Sequence, residues 1–167
     1  MRRLLFLILL GAAGAYAVRR FAFEGIYLAS DSMAPALPTG RHIMVNKMAF
    51  VFSTPRRGDI VMFDSPQDPA RGLVKRVIAV GGDRIELRNK EVWVNGELIS
   101  EPYVQHTRPD EVLAGDTRAE MTVPRGTIFV MGDNRDVSGD SRDWKNAKGE
   151  WAPFLSLDLV RGLVQRG

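Results

Sequence analysis

The chain has 167 residues, about one domain's length, and is 45% hydrophobic and 26% charged, a balance that excludes both a disordered tail and a polytopic membrane protein. It has no cysteine, which excludes disulfides, thiolate zinc sites and a cysteine nucleophile, and its two histidines, His42 and His106, argue against a histidine metal cluster. The net charge of +3 comes from four arginines in the first 20 residues, so residues 21–167 carry 19 basic and 20 acidic side chains and offer no global basic excess to nucleic acid.

Residues 4–18, LLFLILLGAAGAYAV, form an uncharged run of 15 residues between Arg2-Arg3 and Arg19-Arg20. As a helix this run spans roughly 22 Å at about 1.5 Å per residue, short of the ~30 Å of a bilayer core. A cleavable secretory signal peptide fits it, with Ala15-Tyr16-Ala17 as the small-residue cut pattern. A permanent anchor fits it equally, lengthened by arginine snorkelling and by Phe21-Ala22-Phe23. The arginine pairs on both flanks leave the positive-inside rule silent. Either way the chain is exported or membrane-attached.

After residue 20 the chain reads as β structure. Strand-like runs fall at Ile43–Val45, Asp59–Phe63, Leu73–Val80, Arg84–Leu87, Glu91–Val94, Met121–Val123 and Thr127–Met131, separated by turn residues. Asn95-Gly96, between Val92–Val94 and Leu98-Ile99, is a strong two-residue hairpin signal, and Asn89-Lys90 marks the turn before it. Residues 103–120 are polar and irregular and read as a loop. There are no internal repeats.

Three places offer chemistry. In Ser30-Asp31-Ser32-Met33-Ala34-Pro35, the proline pushes Ala34 toward extended geometry, which predicts a fixed loop rather than a helix. If the segment is extended, Ser30 and Ser32 point the same way; one hydroxyl can attack a carbonyl while the other donates to the oxyanion. A plain surface turn is the competing reading. The second place is Lys75, which period two puts on one strand face with Leu73, Val77 and Ala79. A lysine there either snorkels to water or is buried, and burial lowers its pKa from ~10.4 toward a range where it works as a base. The third is Gly132–Arg142, directly after the apolar run Ile128–Met131. It fails as a calcium loop, because Ser141 and Ala147 stand where glycine and glutamate are needed. Its arginines and aspartates suit an internally bonded loop, although a solvated turn has the same composition. Neither histidine has a setting that completes a Ser-His-Asp triad, so Ser plus Lys is the economical hydrolytic pair.

In order along the chain, these segments resemble the bacterial type I signal peptidases. Arg20–Glu24 is similar to that family's link from membrane helix to first strand. Ser30–Leu37 resembles its S-x-S-M-x-P-T-L box, Arg57–Phe63 its R-G-D-I-V-V-F box, Val74–Ile78 with Gly82-Asp83 its lysine box, and Gly132–Arg142 its G-D-N-R-x-x-S-x-D-S-R box. Ala29, Ala36 and Gly81 depart from the family pattern at positions without catalytic roles.

The resemblance implies a mainly β fold, with a signal-peptidase-like antiparallel catalytic domain over 21–167 behind a single N-terminal transmembrane helix over 1–20. Any accessory β insert, at about 84–122, must be reduced. It implies a Ser/Lys endopeptidase with Ser32 as nucleophile and Lys75 as general base. Ser30 and the Ser32 N–H would form the oxyanion hole, Ser138 would orient the lysine, and Asp140 and Arg142 would brace the loop. It implies neither metal nor cofactor. The expected partners are preprotein signal peptides and the lipid bilayer, with no nucleic acid. The implied location is the extracytoplasmic side of the cytoplasmic membrane, with the N-terminal segment retained as an anchor. A specialised maturation peptidase and a non-catalytic, membrane-tethered peptide-binding β module are the competing readings.

Overall fold

A computed structural model describes residues 2–165. Met1 and residues 166–167 lie outside the described residues, so the outer limits of the two expected domains rest on sequence. The side chains of Arg2, Arg19, Arg20 and Phe21 also lie outside what is described.

The first element, α1 (Arg2–Ala22), is longer than the apolar run because nothing between Val18 and Ala22 breaks a helix. Among the described residues no helix is both long and apolar enough to cross a membrane. The helix gives way to β1 (Phe23–Tyr27) where the backbone begins to pair with β2 (His42–Asn46), Phe23 opposite Asn46 and Tyr27 opposite His42. Then come β3 (Ile60–Asp64), β4 (Gly72–Val80), β5 (Arg84–Arg88), β6 (Glu91–Val94), β7 (Glu97–Leu98), β8 (Arg118–Thr122), β9 (Thr127–Met131), β10 (Leu155–Ser156) and β11 (Val160–Gln165).

Seven strands form one antiparallel sheet in the order β1-β2-β11-β3-β4-β9-β10, and residues 84–122 supply a second sheet ordered β7-β6-β5-β8. The Asn95-Gly96 turn joins β6 to β7, with both residues at positive φ (56° and 85°), as a primed hairpin turn requires. Asn89 and Lys90 also take positive φ between β5 and β6. The Arg57 guanidinium grips Asp83 through Nε (2.8 Å) and Nη2 (2.5 Å), pinning the point where the chain passes from one sheet to the other.

The pleat of β3 sorts the core. Ile60 and Met62 pack with Leu28, Met33, Val45 and Val74 in one cluster, whereas Val61 and Phe63 pack with Val77, Val130 and Trp144 in another. A third cluster, including Ile78, Ile85, Val94 and Phe129, joins the two sheets. Strand β4 takes part in all three, and Lys75 on it is buried.

Two expectations are corrected. The strand expected at Met121–Val123 runs instead over Arg118–Thr122, where β5 provides its partner. No strand was expected beyond Met131, yet β11 is a central strand, inserted between β2 and β3.

Candidate active site

Ser32 is not on an extended segment. Asp31–Met33 form a single 3₁₀ turn, with Ser30 extended before it and Ala34 extended after it (φ −66°, ψ 147°). The turn is closed by the Ala34 N–H donating to Asp31 O, and Thr39 Oγ1 caps the Asp31 carboxylate at 2.5 Å. Met33, 1% exposed, drives its side chain into the first core cluster and anchors the turn. The extended geometry that would align the two hydroxyls is therefore absent, but Ser30 Oγ still lies 3.3 Å from Ser32 Oγ.

Lys75 lies 43 residues away in sequence and its Nζ is 2.6 Å from Ser32 Oγ. The lysine does not snorkel: it is 3% exposed. Burial strips water from the ammonium and pulls its pKa from 10.5 to about 8; Asp140 opposes that shift, while Arg142 and Arg71 add to it. The ammonium donates to the serine oxygen. Once the amine is neutral, the same distance lets the serine O–H donate to its lone pair, the arrangement in which a base can accept the proton.

The loop 132–142 is internally bonded. Asp140 is fully buried and accepts from the N–H groups of Gly132 (3.0 Å) and Arg142 (3.2 Å), and from Arg142 Nε (2.8 Å) and Nη2 (2.9 Å). Burial alone pushes Asp140 up, but the charge and hydrogen bonds of Arg142 and the Gly132 N–H outweigh it and hold the carboxyl below its ordinary value. Arg142 also donates to Arg135 O at 2.7 Å. Asn134 N–H donates to Ser32 O at 3.1 Å, tying this loop to the serine turn. Ser138 is buried, and its Oγ has no hydrogen-bond partner, so the expected bond to Lys75 is not formed here.

Sequence reasoning gave no role to Arg76 or Asp133. Arg76 is 1% exposed and sits next to Lys75 on β4. It makes two hydrogen bonds to Asp133 (2.8 and 2.5 Å), donates to Gly58 O (3.0 Å) and stacks on Tyr103 at 3.8 Å. The pair holds the start of the 132–142 loop against the strand that carries Lys75. The sequence signal was partial: a second cation in an apolar strand, on the face opposite Lys75, needs a buried partner only where that face is covered as well. The histidines stand apart. His42 is exposed and packs against Tyr27, and His106 Nδ1 faces Asp136 at 3.4 Å; no hydrogen bond joins either ring to a serine.

Ser32 and Lys75 sit where two clefts meet. One, of about 340 Å³, takes the apolar side chains of Ile26, Leu28, Met33, Met62 and Val74 into its walls. Strands β1 and β4 both line it although three strands separate them in the sheet, so the sheet curls around it. The other, of about 720 Å³, has Ser65, Asp68, Arg71, Asn134 and Asp143 among its walls.

A serine against a buried lysine, where two clefts meet, suits acyl transfer. The family described as signal peptidase, peptidase S26, matches residues 1–165. The chain belongs to this peptidase S26 family. It is 40% identical over 155 residues to a signal peptidase I of Bacillus caldolyticus, covering 88% of this chain and 80% of that one. It is 35% identical over 168 residues to signal peptidase I P of Bacillus subtilis subsp. natto, covering 92% and 89%. A crystal structure of a signal peptidase I from Enterococcus faecalis V583 matches with a TM-score of 0.52 and 28% identity, over 68% of this chain and 98% of that one. Membership of the S26 family makes the chain a serine endopeptidase of the signal peptidase I type.

Gly132 earns its place by close approach. A Cβ there would collide with Ser138 Oγ and with the Ser32 carbonyl oxygen. Gly132→Ala is expected to displace the serine turn and lower kcat/KM by on the order of 10²-fold, as misplacement of a reacting group by about 1 Å does. Steady-state peptide cleavage checks this, and an unchanged rate would show that the turn has room to move.

Proposed function

We propose that this chain removes signal peptides from exported preproteins with a Ser32/Lys75 dyad. The observation that carries the reading is the 2.6 Å contact between Ser32 Oγ and Lys75 Nζ, with the lysine shut away from water. Neutral Lys75 takes the Ser32 proton as Oγ attacks the scissile carbonyl carbon. The Ser30 hydroxyl and the Ser32 N–H donate to the developing oxyanion. The tetrahedral intermediate collapses to an acyl ester, and the Lys75 ammonium returns the proton to the departing amine. Water then attacks the ester with Lys75 again as base, which frees the signal peptide's new carboxylate and restores Ser32.

Ser138 orients the Lys75 amine once that amine is neutral: its buried hydroxyl makes no hydrogen bond to the lysine in the free chain and otherwise approaches only Asp140, and buried hydroxyls pair. Asp140 and Arg142 hold the loop that carries Ser138. The apolar cleft takes the extended end of the signal peptide as an added strand beside β1, with small side chains at the first and third positions before the cut.

Residues 1–20 anchor the chain in the cytoplasmic membrane, and residues 21–167 act on its extracytoplasmic side, with 84–122 as an accessory sheet. The apolar run in α1 is short for a full span, and arginine pairs bracket it in the sequence.

The test is cleavage of a preprotein by the purified chain in lipid or detergent. One cut is expected, after a small residue. Ser30→Ala is expected to slow it by on the order of 10²–10³-fold, the usual effect of losing one oxyanion donor. Cleavage at many unrelated sites, or none, would overturn the assignment.

A further inference from the structure

Residues 84–122 supply neither Ser32 nor Lys75, yet they grip the 132–142 loop near both of its ends. The Gln105 N–H donates to Asp133 O (2.9 Å), and the Arg135 N–H donates back to Gln105 O (3.0 Å). At the other end Arg118 Nη2, from the start of β8, donates to Arg142 O (2.8 Å).

The firmest hold is on Asp136, whose side chain is wholly buried. Its carboxylate accepts from Lys90 Nζ (3.1 Å) and from the Arg108 N–H (2.6 Å), and His106 Nδ1 faces it at 3.4 Å. The Arg108 guanidinium donates to the Asp136 carbonyl oxygen. Lys90, in the turn between β5 and β6, also donates to Arg108 O (2.8 Å) and lies 3.7 Å from the Asp116 carboxylate. Among the described residues, every hydrogen-bond partner of the Asp136 carboxylate comes from 84–122.

Stability alone does not call for this cluster, since a buried ion pair gains little over a well-packed apolar contact. What charged hydrogen bonds add is direction. Asp136 stands two residues before Ser138, and Val137 between them is 53% exposed. The chain at 137 has little packing of its own, so the placing of Asp136 sets where Ser138 begins.

We propose that Lys90 and the 105–108 segment position Ser138 beside Lys75 by way of Asp136, so that the second sheet acts on the chemistry as well as on the fold. This rests on the reading of Ser138 as the group that orients the neutral lysine. Lys90 and Asp136 are positioning residues: neither touches the reacting atoms, and both act through Ser138.

Because the chain has no cysteine, Val137→Cys gives one site for a nitroxide spin label in the full chain. The proposal expects the label to be held in the parent and to gain mobility after Lys90→Met. An unchanged spectrum would overturn it, because Lys90 would then not order the loop.

Cleavage of a purified preprotein supplies the second arm. Lys90→Met and Asp136→Asn are each expected to lower kcat/KM by about 10-fold, less than the ~10²-fold of a 1 Å misplacement because the Gln105 and Arg118 bonds remain. In a Ser138→Ala background the same changes are expected to cost nothing more, because the group they position is gone. Equal losses in both backgrounds would show a brace of the fold and overturn the proposal. No loss in the parent background would overturn it too, as would parent-like cleavage by Ser138→Ala. Circular dichroism follows the fold, and Lys90→Met, on a turn with its side chain 15% exposed, carries the test if Asp136→Asn does not fold. A parent chain that cleaves no preprotein would count against the peptidase reading, and the spectra at 137 would still decide whether Lys90 orders the loop.

Discussion

Lys75→Ala and Ser32→Ala are each expected to lower kcat/KM for preprotein cleavage by on the order of 10⁴–10⁶-fold, the range seen when members of a nucleophile–base unit are removed. The two groups act as one device, 2.6 Å apart, so the double variant should be no worse than either single one. Lys75→Arg should not rescue, because a guanidinium stays charged at any working pH. The assay is quantitative cleavage of a purified preprotein, with circular dichroism to show that each variant keeps its fold. If the two losses multiply in the double variant, serine and lysine act in separate steps and the shared proton transfer is wrong.

Asp140→Ala is expected to cost about 3–5 kcal/mol of folding stability, because it leaves a buried guanidinium unpaired. Arg142 would lose three hydrogen bonds to the carboxylate, and the Gly132 N–H would lose its acceptor. Urea unfolding measures the loss. Replacing Asp140 by asparagine and Arg142 by methionine together should cost less than the two single effects added, because no lone buried charge remains. A full sum would mean that the pair is not coupled. The sign with pH follows from the lowered carboxyl pKa. The stabilisation by Asp140 is present above the unfolded value near 3.8 and is lost as pH falls through the lower folded value.

Much of this was legible because local chemistry dictated it. The Asn95-Gly96 hairpin follows from two residues that tolerate positive φ, and β3, β4 and β9 from apolar runs bounded by turns. Strand β11 was not legible. Gly162 interrupts it, and its pairing with β2 and β3 joins segments about 100 residues apart, which no local pattern reports. Gly162 is there because a Cβ would press on the backbone of Asn46. Within the site, Ser32 and Lys75 stood out as residue types in odd places. The Arg76–Asp133 pair did not, because an arginine beside a lysine reads as surface charge until the strand's burial on both faces is known.

The central claim is that a buried, neutral lysine activates Ser32, and the dependence of kcat/KM on pH tests it most directly. With the Lys75 pKa near 8, only the deprotonated fraction is active. The rate should fall about tenfold per pH unit on the acid side of that value and level off above it. A profile that stays flat across pH 8, with the fold intact throughout, would contradict a lysine base.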